Sequence, residues 1–138
     1  MGFVVRSVGA VVIGLVASVV FVVGVEWMSL ILHPLPPGVD LSDIEACRDH
    51  VARYPAMVLL LAGLGWNLGT FVSSWLSTRI GHRRHPAHGF LVGVVLLALA
   101  VVNMAMLPYP AWFWILNLVG FPACCYAGVM PGRGRRAA

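Results

Sequence analysis

Four apolar runs of about twenty residues each leave this chain one solvent in which to fold, the lipid bilayer. They cover residues 8–32, 56–77, 89–107 and 111–130. In hydrocarbon a backbone must satisfy its own hydrogen bonds, so runs this long and unalternating are helices rather than barrel strands. Composition agrees: 60% of residues are apolar and 10% charged, against about 45–50% and about 25% in soluble domains. A soluble fold would lack the polar surface to cover such a core, and disorder needs the opposite composition. At 138 residues the chain holds one all-α unit, residues 1–138, a polytopic bundle of four transmembrane helices.

The first run follows Arg6 and has the place of a signal peptide. It is too long for a signal core and ends in Glu26-Trp27 and a His33-Pro34 turn without a small-residue cleavage site, so it is expected to stay as a helix. Every basic side chain in the chain apart from histidine is arginine. Arg6, Arg79, Arg83, Arg84, Arg133, Arg135 and Arg136 fall on one side of the four spans, and only Arg48 and Arg53 on the other. That bias predicts both termini in the cytoplasm and one fixed orientation. It also argues against dual-topology dimers such as small multidrug exporters and fluoride channels, which need a nearly balanced charge. The net charge of +4 suits anionic lipid head groups at Arg79, Arg83, Arg84, Arg133, Arg135 and Arg136 rather than nucleic acid.

Residues 33–55 form the one sizeable outer loop. Its start, His33-Pro34-Leu35-Pro36-Pro37-Gly38, should be extended, because successive prolines fix φ and disfavour helix before them. Ser42-Asp43-Ile44-Glu45 matches a capping box, predicting a short amphipathic helix to Arg53 with Leu41, Ile44, Cys47 and Val51 on its apolar face. Pro108-Tyr109-Pro110 is short enough to make the last two spans antiparallel neighbours. Trp27 and the Trp112-Phe113-Trp114 run mark the outer interface, where aromatic rings collect.

Glu26-Trp27, the His-Pro-Leu-Pro-Pro-Gly segment, Gly65-Trp66-Asn67-Leu68-Gly69 and Pro108-Tyr109-Pro110-Ala111-Trp112-Phe113-Trp114 together resemble a group of small bacterial four-helix integral membrane proteins. The resemblance spans nearly the whole chain. It implies the four-helix fold and the bacterial cytoplasmic membrane, and it carries no activity across.

Small residues recur at intervals of four. Gly65, Gly69, Ser73 and Ser77 lie on the second span, Gly89 and Gly93 on the third, and Gly120, Cys124 and Gly128 on the fourth. This spacing lets helix backbones approach closely, within one bundle or between protomers. Polar residues inside the spans are costly unless paired. Glu26, Asn103 and Asn117 are expected at a similar depth in the outer leaflet, with Asn67 nearer the midplane. They suggest either an outward-open polar site, with His33 above it, or interhelical hydrogen bonding in which Glu26 accepts from an asparagine amide. His82, His85 and His88 read as a solvated basic loop, and Asp43, Cys47 and His50 are a poor match to a closed metal site. Cys47 lies too far from Cys124 and Cys125 for a disulfide. Phosphate loops, nucleophile elbows, H-E-x-x-H and a histidine within a span are absent, so neither a cofactor nor a metal is expected. Pro122 is expected to kink the fourth span below Asn117.

These features favour a non-enzymatic membrane protein that works by helix–helix association, as a homo-oligomer or as a small accessory subunit of a larger complex. The alternative is a small transporter or channel with its outer site around Glu26. A third class is a membrane enzyme acting on lipid or quinone, with Glu26 or His33 as the acid–base group.

Overall fold

Proline punctuates this chain: three helices begin directly after one, at Pro55, Pro86 and Pro110. Its fixed φ and missing N–H suit the entry to a first helical turn and nothing further in. The computed structural model describes residues 2–38 and 42–134. Its helices are α1 (Gly2–Leu32), α2 (Ile44–Ala52), α3 (Ala56–Ile80), α4 (Ala87–Met106) and α5 (Ala111–Gly132), with a 3₁₀ turn at His82–Arg84. Four of the five, α1, α3, α4 and α5, are long and apolar enough to cross a membrane. Asp40, Leu41, Arg135 and Arg136 lie outside the described residues.

The spans run further than hydropathy marks. Helix α1 begins six residues before the apolar run, where Arg6 Nε donates to the Ile80 carbonyl at 3.0 Å. That bond occupies an orphan carbonyl at the end of α3 and places a cation at its negative pole. Helix α5 continues through Pro122 and Pro131, both exposed, so the hydrogen bonds they forgo fall away from the bundle interior.

Helix α3 is the hub, packing against α1, α4 and α5. It runs antiparallel to α1, with Gly65 against Val25, Gly69 against Phe21 and Ser77 against Gly14. It runs parallel to α5, where Gly63 meets Leu116, Gly120 meets Asn67 and Gly128 meets Phe71. Helix α4 fills the remaining side, its Gly89 and Gly93 seated on Thr78 and Cys125. Two apolar clusters form the core: Val92, Leu96, Ala100 and Phe121 in one, Leu59, Met104 and Phe113 in the other.

Helix α3 is inverted relative to a soluble core helix. Thr70, Ser73, Ser74, Ser77 and Thr78 are buried, while Met57, Leu60, Leu64 and Leu68 face outward. Small hydroxyl side chains allow close backbone approach, and Thr70 and Thr78 return their hydroxyl protons to the carbonyls of Trp66 and Ser74. Of the nine small residues at that spacing, Gly65, Gly69, Ser73, Ser77, Gly89, Gly93, Gly120 and Gly128 meet other helices of the same chain. On α5 the thiol that packs is Cys125 rather than Cys124; its Sγ lies 3.6 Å from the Gly89 carbonyl.

Helix α2 departs from the expected capping box. Asp43, not Ser42, is the N-cap, and its carboxylate accepts from the Glu45 N–H at 3.0 Å. A carboxylate at that position meets the positive pole of the helix as well as an orphan N–H, which favours it over a hydroxyl. The buried residue of α2 is His50, while Ile44 is exposed. The inward face is therefore set by a ring contact and not by the expected apolar stripe.

Candidate functional site

Two features stand at the end of the bundle that carries the 33–55 connection: a groove on its flank and a cluster of rings above it. Helices α1 and α4 touch where Gly14 meets Val92. Beyond that contact they flank a groove of about 320 Å³. Phe21, Val22 and Glu26 line one wall, Leu96, Leu99 and Asn103 the other, and Trp66, Gly69, Thr70 and Phe121 the bottom. The groove lies between two spans, so its mouth faces the surface that lipid covers. Glu26 is exposed towards it and makes neither a hydrogen bond nor an ion pair among the described residues. Asn103 accepts from the Tyr109 hydroxyl at 3.3 Å. The Trp66 indole Nε1 is buried without a partner.

The four polar residues expected to share one site divide in two. Glu26 and Asn103 line the groove, whereas Asn67 and Asn117 are sealed between α3 and α5. Asn67 Nδ2 donates to Asn117 Oδ1 at 3.2 Å and to the Gly63 carbonyl at 2.7 Å. Asn117 Nδ2 in turn donates to the Phe113 carbonyl at 2.9 Å. This pair cross-links two parallel helices, and Asn117 is fully buried. The alternative in which Glu26 takes an asparagine proton is not what forms: Asn117 bonds Asn67, and the Asn103 carbonyl oxygen bonds Tyr109.

Above the groove, His33 closes a ring cluster. Its imidazole stacks on His50 at 4.9 Å and meets Tyr54 edge-on at 5.2 Å, while His50 and Tyr54 are 5.0 Å apart. Beside it, Tyr109 stacks on Phe113 at 4.5 Å and stands edge-on to Trp66. Loss of hydration pushes both tyrosine hydroxyls up from their ordinary pKa, with the Glu26 carboxyl adding to the effect. Cys47 and Asp43 do not join His50 in a ligand set, and no three such side chains converge among the described residues. The 33–50–54 cluster was hidden from sequence reasoning because its members sit on three separate segments; the one signal was that residues with rings lie in the short helix and on either side of it.

His50 gives this cluster a pH dependence. Its imidazole is held below the usual histidine range by burial, then by the positive charge that His33 and Arg53 bring close. A histidine kept neutral in the docked state contributes stability that is complete above its free pKa and is lost as pH falls through the lowered, docked value. The Arg48 Nε bond to the Met106 carbonyl at 2.8 Å also ties helix α2 to the bundle. A nitroxide at exposed Asp49 should therefore gain mobility as the pH drops below about 6.5, and His50→Phe should abolish that change. Unchanged mobility across the acid range would show that the rings do not hold α2 in place.

The chain matches no family model, no curated protein and no solved structure.

Proposed function

We propose that this chain is a non-enzymatic integral membrane protein that works by self-association through α1, with its termini in the cytoplasm of a bacterial cell. The carrying observation is a seam on the side of α1 turned away from α3, with Val19 at its edge beside the groove. Val5, Gly9, Val12, Val16, Val19 and Val23 follow one another at steps of four and three. That repeat is the 3.5-residue period of a left-handed helix pair. The five valines are 49–71% exposed, and a side chain at Gly9 would meet nothing within 4 Å.

Lipid contact alone does not ask for this pattern. The outward face of α3 is Met57, Leu60, Leu61, Leu64 and Leu68, flexible side chains that suit fluid acyl chains. Valine in a helix is held to one χ1 rotamer, so packing it against a neighbour loses little side-chain entropy. Without a hydrophobic force between helices in lipid, a stiff surface with a glycine notch is what supports association. The glycines inside the bundle are already occupied by other helices of the same chain, so they leave α1 as the face for a second copy.

Mass measurement of the protein in detergent-free lipid particles tests this directly. A dimer or higher closed oligomer is expected for the native chain, and monomers for Gly9→Leu together with Val16→Leu. Native particles that hold a single copy, or one copy bound to a different membrane protein, would overturn self-association. Orientation follows from the arginine bias: in a chain whose own cysteines are replaced by serine, an impermeant maleimide added to intact cells should label a cysteine placed at Asp49 and not one placed at Arg133. The reverse pattern would invert the topology.

A further inference from the structure

The groove between α1 and α4 has a chemistry that self-association does not use. Its walls are apolar, yet one carboxyl, Glu26, opens into it with no basic side chain among the lining residues. An indole ring, Trp66, forms part of the same surface, which Phe21 and Phe121 also line. A carboxylate in a groove that an indole also lines is a complementary setting for a cation, through charge-assisted hydrogen bonding and attraction to aromatic rings. An anion is repelled by Glu26, and a head that only accepts hydrogen bonds leaves the carboxylate unpaired. The volume, about 320 Å³, lies at the small end of ligand sites. It matches a single alkyl chain.

We propose that the α1–α4 groove is a binding site for a lipophilic cation, a single-chain amphiphile with an ammonium head, taken laterally from the membrane. The alkyl chain lies along Val22, Leu96 and Leu99. The ammonium donates to the Glu26 carboxylate and rests near Trp66. Asn103, its carbonyl oxygen already held by Tyr109, bounds the site at the end nearest the ring cluster. No bond is made or broken.

Three probes of equal chain length separate the contributions: dodecylammonium, dodecanol and dodecyl sulfate, each titrated into the full chain in zwitterionic nanodiscs. Binding is read by photo-crosslinking competition at Leu99, with thermal melting as a second measure. Dodecylammonium should bind about tenfold more tightly than dodecanol, and dodecyl sulfate more weakly than either. Glu26→Gln should remove the preference for the cation while leaving the melting temperature of the free protein unchanged, because Glu26 holds no internal partner. Val22→Trp, which fills the groove from an exposed position, should abolish competition by all three. Equal affinity for the cation and the alcohol, or a cation preference that survives Glu26→Gln, would overturn the proposal. Neither outcome bears on the oligomeric state, so failure here and failure of self-association are distinguishable.

Discussion

Gly69→Leu is expected to disrupt the bundle, whereas Gly9→Leu leaves the fold of each protomer intact. A Cβ at Gly69 would stand 2.8 Å from Phe21 Cβ, closer than carbon atoms pack, and leucine adds three further carbons. Both residues lie on long helices fixed along their length, so neither backbone can shift at one point alone. Overpacking of a well-filled interior by a few carbons costs about 1–3 kcal/mol, and more where backbone must move. For a bundle of ordinary marginal stability that is a large fraction of the total. At Gly9 a side chain meets open space, and its effect should fall on association alone. Chemical denaturation in mixed micelles would read the first effect, and particle mass the second. Equal tolerance of both substitutions in denaturation would mean that α1 and α3 are not held at glycine distance.

The second large effect concerns the buried asparagines. Asn117→Leu removes the acceptor that Asn67 Nδ2 reaches at 3.2 Å, in a place with no exposed surface. Asn67 Oδ1 is already without a partner, so the change leaves the side chain with only its own helix, through the Gly63 carbonyl. Leaving a buried polar group short of partners costs about 1–3 kcal/mol, and leucine adds branching against Gly63. A double-mutant cycle with Asn67→Ala and Asn117→Ala isolates the pair itself. Interhelical hydrogen bonds in membranes average about 0.6 kcal/mol in such cycles, and a coupling of that size or larger is expected. A coupling of zero would show that each asparagine serves only its own helix.

The spans were legible in the sequence because membrane burial is written into composition, while the starts of α1 and α4 lie beyond the apolar runs, at Gly2 and Ala87. Depth was legible in part: Glu26 and Asn103, expected at one level, line one groove, but Asn67, expected nearer the midplane than Asn117, bonds it directly. What no count along a helix supplies is the direction a residue faces relative to other helices. Asn117 turns towards α3 and Asn103 towards α1, and that division turned one supposed polar site into a sealed pair and an open groove. The groove itself depends on how α1 and α4 separate beyond Gly14 and Val92, a feature of packing and not of either segment. On α2 the apolar periodicity of Ile44, Cys47 and Val51 competed with the ring contacts of His50, and stacking on His33 with an edge contact to Tyr54 prevailed. The seam on α1 was present in the letters, but a run of valines looks the same on every face until the bundle shows which face is left over.

A cysteine scan along α1 in native membranes tests self-association through that face most directly. In a chain whose own three cysteines are replaced by serine, single cysteines from Val12 to Val25 would be oxidised and the yield of covalent dimer measured. Dimer yield should peak at Val12, Val16 and Val23, which share the exposed seam, and should be minimal at Ser18 and Val25, which the bundle buries. Crosslinking that is uniform along the helix, or absent at all three seam positions, would contradict association through α1.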